Sequence, residues 1–264
     1  MFGKRLDPWK IVEMSRDRRR LSARDYIENV FTSFFELHGD RNYGDDPAIL
    51  CGPAYLEKQP VMLICQNRGR TQEEAEACRY GMPEPEGYRK ALRFMKQAEK
   101  FHIPVVCLID TPGAFSGIEA EYRGQGSAIA HNLLEMVRLR TPVISVVIGQ
   151  GGSGGALALA ISDRVYMLEN ATYSILSPEG FANILFKDAT RKEEAARLMH
   201  ITAKDLLPLH VIDGVIAEDE NGNWNDPEKT YRSLAEILRR ELNELSSMET
   251  DALVTARQKR FRSF

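Results

Sequence analysis

The sequence predicts a single α/β domain in which helices pack on a largely parallel sheet. The main observation is that residues 85–148 run twice through a helix, a short linker and a buried strand rich in β-branched residues. Each strand leads into a glycine-containing turn, and two successive crossovers place both turns at the carboxyl edge of the sheet. The second observation is length, since 264 residues suffice for one substantial core.

The amino-terminal part is expected to form a polar extension followed by a long helix. Residues 1–20 are polar and end in the run SRDRRR, which is typical of a solvated face. A helix is predicted over 22–39, with Ser22 as its cap and Gly39 as its end. Its apolar stripe at helical spacing comprises Tyr26, Ile27, Val30, Phe31, Phe34, Phe35 and Leu37.

The next segment predicts a β-hairpin and then the first repeated unit. Apolar runs at 48–56 and 61–65 flank the turn EKQP, and the second run leads into the polar loop QNRGR. A buried strand is predicted over 103–109, with DTPGAFSG as its turn. The helix before that strand has an apolar stripe of Ala91, Leu92, Met95 and Ala98.

The second unit supplies a buried strand over 143–148 and the glycine turn after it. Short strands RVYMLE and TYSILS follow, then a helix near RKEEAARLMH. A last helix begins at Asp226 with Pro227 in its first turn, and the tail RQKRFRSF is expected to fray. The core of the single domain is therefore placed at about 20–218, with 1–20 and 251–264 peripheral.

Composition and charge indicate a cytoplasmic protein. The 35 basic and 38 acidic side chains leave a net charge of −3, which suggests neither a nucleic-acid partner nor a membrane surface. No apolar run reaches the roughly 18 residues of a spanning helix, and no apolar targeting segment opens the chain. The cysteines lack zinc-ligand spacing, which predicts buried reduced thiols and no metal site for Cys51, Cys65, Cys78 and Cys107.

The stretch VIGQGGSGGALALA allows three chemical interpretations. Gly149, Gly151 and Gly154 satisfy the dinucleotide pattern G-x-G-x-x-G, and Glu169 stands where the ribose-binding acid is expected. Only about eight residues separate Gly154 from Asp163, which leaves a shorter helix than a dinucleotide fold usually has.

The second interpretation is a serine hydrolase. Ser153 lies in a G-x-S-x-G pattern, and Asp188 with His200 or His210 follows in the chain order of that class. The third needs no side chain, because the peptide N–H groups of Gly154 and Gly155 would stabilise a developing oxyanion. Close packing of helix on sheet would also explain some of the glycines. The residues alone leave these alternatives open.

Four long stretches together resemble one family. They are DYIENVFTSFFELHGDRNYGDDPAI, GMPEPEGYRKALRFMKQAEKF, IDTPGAFSGIEAEYRGQGSAIAHNL and VIGQGGSGGALALAISDRVYMLENATYSILSPEG. These are similar to α subunits of the bacterial acetyl-CoA carboxylase carboxyltransferase, over roughly residues 20–218. The resemblance implies a crotonase-like (ClpP/crotonase) fold of repeated ββα units, in one CoA carboxyltransferase domain of the C-terminal type.

The resemblance also implies the reaction and its partners. Proteins of this family transfer a carboxyl group from carboxybiotin, held on the biotin carboxyl carrier protein, to acetyl-CoA. The product is malonyl-CoA, in the first step of fatty acid biosynthesis. The expected partners are a zinc-ribbon β subunit in an α2β2 assembly, the carrier protein and biotin carboxylase. Biotin is the implied cofactor, and no metal is expected in this chain.

The resemblance assigns roles to individual residues. Gly154 and Gly155 would face the biotin ureido oxygen with their peptide N–H groups. The neighbouring substrate-binding wall would comprise Gly113, Ala114, Gly151 and Gly152. Arg68 and Arg70 are candidates for CoA phosphates or partner contacts. Asp110 would either line the wall or cap a turn.

The sequence departs from the family pattern at a few positions near this site. It has GAFSG where GAYPG is common and IGQGG where IGEGG is common, and Arg68 replaces a frequent lysine. Ser116 and Gln150 therefore bear on the details of the carrier contact. None of these departures changes Gly154 or Gly155.

Overall fold

The computed structural model describes residues 6–264, and a seven-stranded sheet forms the centre of this part of the chain. The hydrogen-bonded order of the strands is β1-β2-β3-β4-β5-β7, with β6 paired to β4. The strands are β1 (Ile49–Leu56), β2 (Gln59–Gln66), β3 (Val105–Thr111), β4 (Val143–Gly152), β5 (Arg164–Leu168), β6 (Thr172–Ser174) and β7 (Gly214–Ile216).

Helices cover the sheet and connect its strands. Those before β4 are α1 (Pro8–Arg16), α2 (Ala23–Val30), α3 (Gln72–Ala77), α4 (Pro85–Phe101), α5 (Ile118–Tyr122) and α6 (Gln125–Met136). Those after β4 are α7 (Ser153–Leu157), α8 (Pro178–Phe186), α9 (Lys192–Met199), α10 (Ala203–Leu206), α11 (Pro227–Ser246) and α12 (Thr250–Phe261). Short 3-10 helices span Arg79–Gly81 and Ala189–Arg191.

The sheet confirms the hairpin and the parallel crossovers. β1 and β2 pair antiparallel, whereas β2, β3, β4, β5 and β7 run parallel to one another. Every residue of β3 is buried, which explains its unbroken apolar sequence, because a parallel strand is covered on both faces. The carboxyl ends of β3 and β4 consequently lie side by side, as the crossover pattern predicts.

The helix predicted over 22–39 is wrong in its second half. α2 ends at Val30, and the chain then follows β1 through bridges of Thr32 with Tyr55 and Leu37 with Cys51. The unpaired edge of β1 offers backbone groups that an extended segment satisfies, so tertiary pairing overrides the apolar spacing of FTSFFEL.

The glycine turn begins later than the sequence predicts. β4 continues to Gly152, because its last three residues, Gln150–Gly152, pair with β6. Gly149 and Gly151 are therefore strand residues, and the chain turns only at Ser153. The pairing of β6 with the end of β4, which local sequence does not show, accounts for the difference.

Neither end of the described chain is a loose extension. Ile11, Val12 and Met14 of α1 are buried, and so is Arg20 of the run SRDRRR. The tail expected to fray is helical to Phe261. Its fully buried Arg257 donates to the Asp163 carboxylate at 2.9 and 2.6 Å. The same guanidinium also donates to the backbone carbonyls of Met136, Leu139 and Thr141.

The four cysteines are buried and unpaired, as predicted. Burial raises the pKa of Cys78 to about 11 and that of Cys107 to about 12. Among residues 6–264, no group of three or more His, Cys, Asp or Glu side chains is arranged to hold a metal ion. No helix of the same range is long and apolar enough to cross a membrane.

A buried acidic loop anchors the start of α4. The Asp46 carboxylate accepts the N–H groups of Ala48 at 2.9 Å and Glu84 at 2.8 Å, and the fully buried Lys90 donates to Asp45 at 2.6 Å. Burial raises the pKa of Asp46 to about 6 from an ordinary 3.8. The folded chain therefore binds the Asp46 proton more tightly than the unfolded chain does.

This pKa predicts a pH dependence of stability. A rise from 3.8 to about 6 corresponds to about 3 kcal/mol, which favours folding below pH 4 and is lost as the pH rises through 6. We therefore expect the unfolding free energy of the native protein, minus that of Asp46→Asn, to fall by about this amount between pH 3.5 and 7. Urea titrations of both proteins at several pH values measure this difference in unfolding free energy. A difference that stays flat would contradict the assigned pKa.

Candidate functional site

The candidate site lies where the ends of β3 and β4 meet. Thr111 pairs with Gly151, so the turn after β3 comes directly against the start of α7. A Cβ atom on Gly152 would overlap the carbonyl oxygen of Pro112. One on Gly155 would lie 2.5 Å from the backbone nitrogen of Ala114. Glycine is required at both positions because the two turns touch through their main chains.

The predicted oxyanion pair is arranged unequally. Gly154 is half-buried, and a Cβ atom there would make only an ordinary van der Waals contact with Ile129, at 3.8 Å. Gly155 is buried against the Gly113–Ala114 wall, which is itself half-buried. Both occupy the first turn of α7, where N–H groups have no acceptor within the helix. With five residues α7 has only a small macrodipole, so the N–H groups themselves are the donors.

A glutamine that the sequence analysis did not single out joins the two turns. Gln66, fully buried at the end of β2, donates through Nε2 to the carbonyl of Gly155 at 2.8 Å. Its Oε1 accepts the backbone N–H of Asp110 at 3.1 Å. One side-chain amide therefore fixes α7 to the end of β3. The available signal was a polar residue closing the apolar run VMLIC.

Asp110 also joins the end of β3 to β4. Its Oδ1 accepts the N–H of Gln150 at 2.9 Å, and its Oδ2 lies 2.7 Å from Nε of Arg68. Burial raises the pKa of Asp110, and the Arg68 charge opposes that rise. Gly149 leaves the space that this carboxylate occupies, because a Cβ there would overlap it. Of the two roles considered for Asp110, the structure favours bracing the turn.

We expect Gln66→Leu to lower kcat about tenfold while KM changes little. The substitution removes both hydrogen bonds, so the Gly155 peptide plane loses its fixed orientation, although Leu fills much of the same volume. Steady-state kinetics of the assembled enzyme measure the effect. The control is Gln59→Leu at the opposite end of β2. Equal effects of the two substitutions would contradict a positioning role.

Arg68 and Arg70 line one cleft but differ in their surroundings. Arg68 is largely buried and held by Asp110, whereas the more exposed Arg70 pairs with Glu28 at 2.6 Å and Asp25 at 3.0 Å. The cleft that these two residues line has a volume of about 330 Å³, and we name it the arginine cleft. Its lining comprises Arg16, Arg18, Arg19, Arg20, Leu21, Ser22, Asp25, Arg68, Gly69, Arg70, Thr71, Ala75, Tyr80 and Gln150.

The dinucleotide interpretation does not fit this geometry. Its first two glycines lie within β4 rather than in a turn, and α7 has only five residues. Glu169, placed where a ribose-binding acid is expected, pairs with Lys204 at 3.2 Å.

The hydrolase interpretation does not fit either. Asp188 accepts the hydroxyl of Thr190 at 2.6 Å, in a cap of the short 3-10 helix that follows. Within residues 6–264, neither Asp188 nor His200 nor His210 is hydrogen-bonded to Ser153. Ser153 itself is a positive-φ residue, at φ 53°, where the chain leaves the strand. Main-chain donors and close packing of the two turns are the alternatives that remain.

Comparison with known sequences gives one consistent result. The model of the family described as acetyl co-enzyme A carboxylase carboxyltransferase-like matches residues 2–264. The chain is 52% identical over 255 residues to the acetyl-coenzyme A carboxylase carboxyl transferase subunit alpha of Clostridium botulinum (strain Eklund 17B / Type B). That match covers 97% of this chain and 93% of the relative.

A second relative has a different chain organisation. The acetyl-coenzyme A carboxylase carboxyl transferase subunits beta/alpha of Clostridium tetani is 50% identical over 262 residues, which covers 98% of this chain and 45% of that protein. Among solved structures, transcarboxylase 12S with methylmalonyl-coenzyme A bound superposes with a TM-score of 0.69 at 23% identity. The superposition covers 85% of this chain and 42% of the transcarboxylase chain, and it shows a shared fold.

Proposed function

This chain belongs to the acetyl-CoA carboxylase carboxyltransferase α-subunit family, and from that premise we propose that it forms the biotin side of the transferase site. It is a carboxyltransferase subunit of acetyl-CoA carboxylase with a crotonase-like fold, and it serves fatty acid biosynthesis. The reaction forms malonyl-CoA from acetyl-CoA. The proposal concerns which residues of this chain act and how.

The observation that carries the proposal is the contact between the two glycine turns. It leaves the first-turn N–H groups of α7 beside the Gly113–Ala114 wall, and a Cβ atom on Gly154 would meet nothing closer than Ile129 at 3.8 Å. Gly151, Gly152 and Pro112 also line a small cavity of about 60 Å³ next to these groups. A flat cyclic urea with one acceptor oxygen suits a site built of peptide donors and no bulky side chains.

Bound carboxybiotin would supply the carboxyl group for transfer and an acceptor oxygen on its urea ring. The N–H groups of Gly154 and Gly155 would stabilise negative charge on that oxygen, and each such donor is worth about 2.7–4 kcal/mol of barrier. Gln66 and Asp110 would hold the donors in position. The proposal assigns no acid, base or nucleophile to this chain, whose part is to bind the urea ring and to hold the main-chain donors in place.

The partners follow from the same proposal. The fused beta/alpha relative supports a β-subunit partner. We place the complete site at an α/β interface in an α2β2 assembly, reached by the biotin carboxyl carrier protein after biotin carboxylase has loaded it, in the cytoplasm. Ile118 and Tyr122, one helical turn apart just after the β3 turn, are 90% and 93% exposed, which suits a surface that a partner covers.

Reconstitution tests this function. We expect the purified chain alone to be nearly inactive, and addition of the β subunit to yield biotin-dependent loss of the carboxyl group from malonyl-CoA. The reverse reaction, malonyl-CoA formation, should appear with carboxylated carrier protein and acetyl-CoA. A coupled spectrophotometric assay follows either direction. A stable α/β complex without either activity would contradict the proposal.

A further inference from the structure

We propose that the arginine cleft binds the phosphate groups of a nucleotide whose base stacks on Tyr80. The cleft joins two basic segments that lie about 50 residues apart in sequence, the run ending at Arg20 and the loop Arg68–Arg70. Arginine supplies six of its lining residues, whereas Asp25 is the one carboxylate among them. Each guanidinium group is planar and suits phosphate oxygens, which accept two parallel hydrogen bonds from one arginine.

Two arginines of the cleft are held in place by hydrogen bonds and ion pairs to other residues. Arg20 donates to the carbonyl of Ile148 at 2.6 Å and pairs with the buried Glu218 at 2.9 Å, while Arg68 is held by Asp110. Within residues 6–264, Nη1 of Arg20 is buried and makes no hydrogen bond. A buried donor without an acceptor is destabilising, and an oxygen of a bound ligand would satisfy it.

The outer arginines are available to a ligand. Arg18 donates to the neutral amide of Gln72 at 2.8 Å, so its guanidinium keeps its full charge. Arg19 and Arg70 pair with carboxylates near the surface, and solvent and salt screen such exposed pairs strongly. A phosphate with more than one negative charge competes effectively for those donors.

An aromatic ring stands at the rim of the cleft. Tyr80 is 45% exposed, and its hydroxyl accepts from Nε2 of Gln72, the same amide that contacts Arg18. Arg79, Tyr80 and Gly81 all have positive φ angles, of 47°, 55° and 83°. This backbone conformation is unfavourable for residues other than glycine, so the surrounding structure must hold Tyr80 in it. Bases stack on exposed aromatic rings of this kind.

The cleft adjoins the transferase site. Arg16 and Gln150 line both the arginine cleft and the small cavity beside Gly151 and Gly152. A nucleotide with its phosphates in the cleft therefore lies next to the glycine turns. Two sources share this chemistry: the nucleotide half of the CoA substrate, which rests on the proposed function, and a free nucleotide that regulates the enzyme.

Binding measurements on the full chain test the proposal without transferase activity. We expect adenosine 3′,5′-bisphosphate to bind in isothermal titration calorimetry, with an affinity that falls as salt is added. Arg18→Ala and Tyr80→Ala should each weaken binding about tenfold. The matched controls are Arg140→Ala, an exposed arginine paired with Asp251, and Tyr55→Ala, whose ring is 44% exposed. Both controls should bind like the native chain.

Competition with CoA on the assembled enzyme separates the two sources. Displacement of the bisphosphate by CoA, with competitive inhibition of the transferase, assigns the cleft to the substrate. Simultaneous binding of both assigns it to a separate nucleotide. Absence of binding at millimolar bisphosphate, or equal weakening in the cleft and control variants, overturns the proposal. An inactive complex that still binds the bisphosphate contradicts the proposed function and leaves the cleft assignment standing.

Discussion

Substituting Gly155 with alanine is expected to reduce carboxyl transfer about a hundredfold in the assembled enzyme. The added Cβ would lie 2.5 Å from the backbone nitrogen of Ala114, a distance that real side chains do not show. Because the obstacle is main chain, α7 or the β3 turn has to move, and the donor N–H groups move with it. Loss of one correctly placed donor alone costs about 2.7–4 kcal/mol of barrier. Steady-state kinetics of the α/β complex measure the effect.

Two substitutions separate displacement of the turn from general damage. Gly126→Ala, in α6, adds a methyl group where no atom lies within 4 Å, so activity should stay within about twofold of the native value. Gly155→Val, with a larger side chain at the same position, should abolish transfer while circular dichroism still shows a folded chain. Full activity in either Gly155 variant would remove this residue from the catalytic role.

Arg257→Leu should lower the free energy of unfolding by about 3–5 kcal/mol. The guanidinium is fully buried, pairs with Asp163 at 2.6 Å and donates to three backbone carbonyls near the end of α6. Removing it leaves a buried carboxylate and these carbonyls without their donor, which is the costly way to break an internal ion pair. Urea denaturation followed by circular dichroism measures the loss.

An exposed ion pair between Asp251 of the same terminal helix and Arg140 provides the comparison. Arg140 meets Asp251 at 2.7 Å, with both side chains more than half exposed, so Arg140→Leu should change stability by no more than about 1 kcal/mol. The difference in unfolding free energy between the two variants measures the effect of burial. If Arg257→Leu were as mild as Arg140→Leu, the buried pair would not be what fixes α12 to the sheet.

Segments with a strong apolar pattern were predictable from sequence, whereas contacts with residues distant in the chain, such as those at the edge of the sheet, were not. The hairpin, α4, β3 and β4 are confirmed because each buries a face or a whole strand that leaves its own apolar pattern. The end of α2 at Val30 depends on the open edge of β1, a partner that residues 31–37 do not encode locally. The ordered α12 likewise depends on Asp163, which is distant in sequence.

In the candidate site, too, residues with a local sequence signal were predictable and residues that depend on the fold were not. The sequence indicated Gly154 and Gly155 because main-chain chemistry at a strand-to-helix turn has a local glycine signature. It did not indicate Gln66, whose role exists only because β2 and β3 are neighbours. The two arginine clusters were visible separately, but only the folded chain shows that they line one cleft.

Because the native cysteines are buried, a cysteine introduced at this site could be labelled selectively. All four native cysteines are at most 2% exposed, and burial raises the pKa of each, so maleimide reagents should leave them unmodified. Gly154 has room for a new side chain at the mouth of the site. Gly154→Cys would therefore accept a single fluorescent label, whose emission would report the docking of carrier or partner in real time.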